Sequence, residues 1–174
     1  KDVKTVDIDV VDIDPNSLIV LKALLDTMII PENISINFIN DDFLLHDFTI
    51  KNDIVIGNPP YKKITKEKDL LKRYKCGLYN KDTNNIFSFF IEKSLTLGDY
   101  VSLIVPKSLI NAPEFNKTRE LLNKHRITNI FDFGEKGFKG VKIETVCFIA
   151  QPGKSPKTTI VESYITNKHV AYNQ

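Results

Sequence analysis

At 174 residues and 19.9 kDa, with 42% hydrophobic and 26% charged residues, the chain has the size and balance of one soluble domain with a real core. A net charge of +2 is too small to define a nucleic-acid partner by itself, so charge distribution has to decide that question. Cys76 and Cys147 lie far apart with neither metal-ligand nor disulfide spacing, a usage that suits a reducing cytoplasm, and no apolar run is long enough to span a bilayer.

In chain order, residues 3–13 are strand-like and rich in acids. Asp14 and Pro15 then open a helix, the acid as cap and the proline in the first turn. Leu18, Leu21, Leu25 and Met28 follow at helical spacing. Pro31 ends that region, and residues 34–39 alternate as a second strand before Asn40-Asp41-Asp42-Phe43-Leu44. Ile54-Val55-Ile56 reads as a strand buried on both faces, as in a parallel sheet. Gly57 lets the chain turn sharply, while Pro59 and Pro60 fix φ, remove two donors and push Asn58 out of the helical region. The product is a stiff loop presenting one amide and one ring, Tyr61, at a strand's carboxyl end. That is where open α/β sheets bind their ligands.

Asn58-Pro59-Pro60-Tyr61 after an apolar strand resembles the fourth motif of S-adenosylmethionine-dependent amino methyltransferases. The wider match is to the N6-adenine DNA methyltransferases of bacterial restriction-modification systems. The resemblance implies an α/β fold, a doubly wound, mostly parallel Rossmann-like sheet, and S-adenosylmethionine as cofactor. It places Asp12, two positions before the Asp-Pro pair, at the cofactor ribose, with Ile13 beside it. Asp42 takes the position that accepts from the cofactor's adenine amino group, and Phe43 the ring that covers it. No metal is implied.

Residues 62–75 carry seven cations against Glu67 and Asp69. Beside the Asn58–Tyr61 loop, Lys62, Lys63 and Lys66 are expected to meet the phosphate backbone, on a mobile DNA-facing loop continued by residues 76–85. Residues 86–97 form a good helix with an apolar face of Phe87, Phe90, Ile91 and Leu95, and Phe90 matches the family's aromatic at the adenine pocket. Tyr100 to Val105 reads as a strand, Glu114 to His125 as a helix, and residues 127–133 and 145–150 as strands. Between the last two, a glycine-rich loop holds Phe138 among lysines, of which Lys139 is expected to meet the phosphate backbone. By resemblance, Phe138 and Tyr61 stack on an extruded base. A short strand at residues 158–162 precedes a polar tail.

The family's glycine-rich first motif has no counterpart: Gly57 is the first glycine of the chain. The expected organisation is a methyltransferase catalytic fragment over residues 1–152, lacking the first strand, with residues 153–174 beginning the connection to a target-recognition region. The expected partner is double-stranded DNA, without a membrane, and an isolated fragment is expected to be inactive and open to self-association. Two rival readings share these residues: a protein-glutamine methyltransferase, whose substrate amide offers the same NH₂ group, and a non-catalytic DNA-binding subunit.

Overall fold

The protein is described by a computed structural model covering residues 4–138, 140 and 142–173. Its chain divides into two compact units, one ending at Asp47 and one beginning at Phe48.

The first unit is a β-α-β turn. Strands β1 (Val6–Asp12) and β2 (Ile34–Asn40) pair in parallel, from Val6↔Ile34 to Asp12↔Asn40, with helix α1 (Pro15–Leu25) as crossover. Asp14 caps α1. Its two carboxylate oxygens accept the Asn16 N–H and the Ser17 hydroxyl, each at 3.0 Å, and the Asn16 bond foremost holds this carboxyl below its usual range. Leu18 is the buried residue of α1, and the helix stops at Leu25, earlier than the apolar spacing suggests. The Asp26 N–H closes it on Lys22, and Met28 beyond it is exposed.

The second unit holds a six-stranded sheet in the order β3-β4-β6-β5-β7-β8. Its strands are β3 (Asn52–Gly57), β4 (Gly98–Pro106), β5 (Arg126–Gly134), β6 (Thr145–Gln151), β7 (Thr158–Ser163) and β8 (Lys168–Asn173). β3, β4, β5 and β7 run one way and β6 and β8 the other, so four of the six strands share a direction. Val101, Leu103 and Val105 alternate on β4, and Val146, Phe148 and Ala150 on β6, to make one buried face. Against it packs helix α3 (Ile86–Leu97) through Phe87, Ile91 and Leu95. Leu109 from the short α4 (Ser108–Asn111), Phe115 from a 3₁₀ turn (Pro113–Phe115) and Leu122 from α5 (Asn116–Leu122) complete the cluster.

Four readings of the sequence change here. Ile54 and Ile56 are exposed, because side chains alternate along β3 and it is Val55, on the opposite side from them, that reaches the core. The stretch expected as a helix over residues 114–125 begins as the 3₁₀ turn behind Pro113, and its α-helical part is Asn116–Leu122. The polar tail contains β8, which pairs antiparallel with β7 after a turn at Asn167, where φ is +52°. The basic stretch is ordered. Lys68–Tyr74 is a helix, α2, and Lys62–Ile64 is tied by backbone bonds to the start of α3.

Residues 76–85 are likewise built into the protein. Glu92, buried on α3, accepts the backbone N–H of Tyr79 at 2.5 Å and of Asn80 at 2.9 Å. The fully buried Asn80 amide donates to Ser88 and to Thr118, the latter at 2.6 Å on α5. A buried carboxylate stays where such donors meet it, and the donors in turn have no water to fall back on. Glu92→Gln, which turns one acceptor into a donor facing an N–H, should therefore lower stability by about 1.5–3 kcal/mol. Urea unfolding measures it, and an unchanged midpoint would show the segment to be held by other contacts.

Candidate active site

The site begins where β3 ends. Asn58 is exposed on the loop, Pro59 is buried beneath it, Pro60 is exposed and Tyr61 turns back into the protein. The Tyr61 ring meets Phe87 edge-on, with centroids 6.3 Å apart and planes at 81°. Its hydroxyl lies 2.7 Å from the Asn58 side-chain oxygen and 3.1 Å from the backbone oxygen of Ile104 on β4. One phenolic proton faces two acceptors, and the shorter contact is to Asn58. Burial, with a lesser push from Cys147, raises the Tyr61 pKa to about 12. The phenol is thus a fixed donor at any working pH and not a base.

Lys63 forms an ion pair with Glu114 at 3.0 Å, and the same carboxylate accepts from Thr83 at 3.2 Å and Asn85 at 3.3 Å. The exit of the loop is anchored by that cluster, a role that charge counting alone does not reveal. Lys75 is also engaged, through the Lys81 carbonyl and the Asn84 amide oxygen, each at 2.8 Å. Lys62 and Lys66 are exposed, with Lys68, Lys72 and Arg73 exposed nearby on α2.

At the same end of the sheet, β5 and β6 are joined by the segment that carries Phe138, which is half-buried. Lys107, following β4, donates to Asp132 Oδ2 at 3.0 Å and to Glu144 Oε1 at 3.5 Å. The Asp132 bond foremost holds this ammonium above its ordinary pKa. Lys139 lies outside the described residues. Phe90 is half-buried on α3, beside the buried Phe89 and Ile91.

The remaining predicted residues belong to the first unit, where parallel pairing brings the carboxyl ends of β1 and β2 side by side. Asp12 is exposed and one of its oxygens accepts the Asp14 N–H at 2.8 Å; Ile13 is exposed next to it. The Asn40 amide donates to the backbone oxygens of Asp12 and Ile13 at 3.0 and 3.1 Å, which ties the two strand ends together. Asp42 accepts the Leu44 N–H at 2.9 Å and is half-buried, as is Phe43. Two carboxylates and a ring thus share one edge. Among the described residues no group of His, Cys, Asp or Glu could hold a metal ion, and no helix is long and apolar enough to cross a membrane.

The fold is that of the class I S-adenosylmethionine-dependent methyltransferases. A protein of Listeria monocytogenes described as such matches with a TM-score of 0.65 at 18% identity, covering 89% of this chain and 48% of its own. A modification subunit of a type I restriction enzyme from Vibrio vulnificus matches at 0.67 and 14% identity, covering 92% of this chain and 35% of its own. The chain belongs to the Eco57I restriction-modification methylase family, whose sequence profile matches residues 8–138. The type II methyltransferase M.TthHB8I of Thermus thermophilus is 30% identical over 118 residues, 60% of this chain. The chain spans 27% of the length of that relative. S-adenosylmethionine is the cofactor of this family and fold. Asp12 and Asp42 fit its nucleoside end, since exposed and half-buried carboxylates at a strand edge are acceptors for hydroxyl and amino donors.

The raised Tyr61 pKa gives a pH prediction. The folded protein holds the neutral phenol, so this contribution to stability is intact below pH 10.0, the ordinary tyrosine value, and is lost as pH rises through about 12. In Tyr61→Phe the alkaline loss of stability should be shallower, read from denaturant midpoints between pH 9 and about 11. Parallel curves for variant and wild type would show that Tyr61 ionises freely.

Proposed function

We propose that this chain is the catalytic core of an adenine-specific DNA methyltransferase that modifies the N6 amine of an adenine extruded from duplex DNA. The observation that supports this most directly is the Asn58 amide, exposed at the carboxyl end of β3 and held by the Tyr61 hydroxyl. The exocyclic amine of adenine is a poor nucleophile because its lone pair is delocalised into the ring. Two acceptors drawing on its two N–H bonds would localise that pair and stabilise the positive charge that develops on nitrogen. The Asn58 side-chain oxygen has a second lone pair beyond the one facing Tyr61, and the Pro59 carbonyl supplies the other acceptor.

S-adenosylmethionine, when bound, supplies an electrophilic methyl group on a sulfonium. Asp12 and Ile13 would lie at its ribose and Asp42 and Phe43 at its adenine, while Phe90 of the second unit keeps the aromatic role that the family resemblance gives it. No side chain need act as a base, because the methylated nitrogen is itself strongly acidic. The target base must leave the stack to be reached, at a cost of a few kcal/mol. Tyr61 and Phe138 would offset that by stacking on its two faces, each contact contributing ~1–3 kcal/mol. Lys62 and Lys66, with the cations of α2, would follow the phosphate backbone. Lys63, committed to Glu114, contributes less there.

Asn58→Ala in the intact enzyme should slow methyl transfer to duplex DNA by roughly 10²–10³-fold in single turnover while leaving DNA affinity nearly unchanged. A near-wild-type rate would remove Asn58 from the chemistry. Methyl transfer to a peptide glutamine, assayed alongside, would instead support a protein substrate if it exceeded transfer to DNA.

A further inference from the structure

The segment between β5 and β6 carries Phe138, and one side chain grips both of its stems. Lys107 leaves β4 as a half-buried residue whose backbone N–H donates to the Glu144 carbonyl at 2.9 Å. Its ammonium reaches Asp132 Oδ2 on β5 at 3.0 Å and Glu144 Oε1, just before β6, at 3.5 Å. Because β6 lies between β4 and β5 in the sheet, this single side chain ties the ends of three neighbouring strands.

The stems themselves are tightly shaped. The other Asp132 oxygen accepts the Gly134 N–H at 3.0 Å, at a residue with φ of +52° that a side chain would strain. The Asp132 carbonyl accepts the Tyr164 N–H at 2.9 Å, and Phe133 stacks on Tyr164 with centroids 5.4 Å apart. Gly137 lies so close to the Thr145 hydroxyl that a Cβ there would collide with it. The antiparallel pairing of β5 and β6 is irregular between Asp132 and Gly134, so ladder hydrogen bonds alone do not define where the segment departs. The Lys107 ion pairs supply the missing constraint. Asp132 is 19% exposed and Lys107 33%, so the pair is less screened than one on the open surface.

We infer that Lys107 is a positioning residue: by holding Asp132 and Glu144 it fixes both ends of the Phe138 segment and presents that ring to the target base. This rests on the reading of Phe138 as a base-stacking ring. Lys107 is committed to two carboxylates and so is not a phosphate contact, even though it is a lysine on the DNA-facing rim of that reading. Its effect on catalysis passes through Phe138 and not through substrate charge.

The experiment uses the full-length enzyme and two duplexes: one with 2-aminopurine at the target position, whose fluorescence rises on unstacking but which lacks the N6 amine, and one with adenine there, on which the single-turnover rate is measured. Lys107→Met should lower that signal and the single-turnover rate about 10-fold, with overall DNA affinity within about twofold, because stacking and not phosphate contact is disturbed. Lys107→Arg should restore most of both. In a Phe138→Ala background, Lys107→Met should change the rate by less than about twofold, since a residue acting through another has nothing left to position. Equal proportional losses with and without the Phe138 ring would overturn the inference, as would wild-type behaviour of Lys107→Met. Should Lys107→Met not fold, Asp132→Asn carries the same test, because its loss must likewise vanish in the Phe138→Ala background. A wild-type enzyme that methylates the adenine duplex but gives no fluorescence rise on the 2-aminopurine duplex overturns the underlying reading as well, and so separates the two failures.

Discussion

Tyr61 belongs equally to the core and to the candidate site, and the arrangement of the second unit depends on that double membership. Its ring edge rests on Phe87, which in turn packs on Phe115 with centroids 4.8 Å apart. Its hydroxyl meets both the Asn58 amide and the β4 backbone. A side-chain amide on a loop would ordinarily sample several rotamers and lose entropy on binding. Here the orientation of Asn58 is set by an atom that cannot move without disturbing the aromatic cluster. Preorganisation at the site is thus borrowed from packing density in the core.

The same economy shapes the wall beside the loop. A segment with seven cations in fourteen positions would repel itself if left unpartnered. Instead Glu92 and Glu114 each gather several donors from residues 63–85, and the Asn80–Ser88–Thr118 cluster fastens the segment to α3 and α5. Buried polar clusters of this kind define one arrangement, because any slip leaves a donor or acceptor unsatisfied. Lys62, Lys66, Lys68, Lys72 and Arg73 stay exposed without an ion pair among the described residues, and they are the ones available to a polyanion.

What was legible in the sequence was local chemistry. The Asp14-Pro15 helix start depends on φ preferences and a cap within a few residues and stands in the structure as read, whereas Gly57 ends β3 in strand conformation without the sharp turn expected there. The strand positions followed from β-branched runs bounded by turn residues. What could not be read depends on distant partners. The exposure of Ile54 and Ile56 is decided by which side of β3 the core lies on, where Val55 points, not by their own hydrophobicity. The ordering of residues 62–85 is decided by carboxylates at positions 92 and 114, invisible in a local charge count. β8 carries only Val170, Ala171 and Tyr172 as apolar residues and exists through its ladder with β7. The Lys107 contacts join positions 107, 132 and 144, which no spacing rule connects.

The antiparallel placement of β6 has a consequence for the order of assembly. β5 and β6 form a hairpin, so their contacts close a short loop, whereas β3 must find β4 across some forty intervening residues that include α2 and α3. Loop-closure entropy rises with that separation, so the hairpin and its helical cover gain their contacts at lower entropic cost than the β3 pairing does. The strand that delivers Asn58 is then a late arrival at a rim already built by its neighbours. A chain that stalls before β3 docks would hold most of the core but lack the Val55 and Tyr61 contacts and the Asn58 loop. The Tyr61–Phe87 contact would therefore report completion of folding more sensitively than secondary-structure content does.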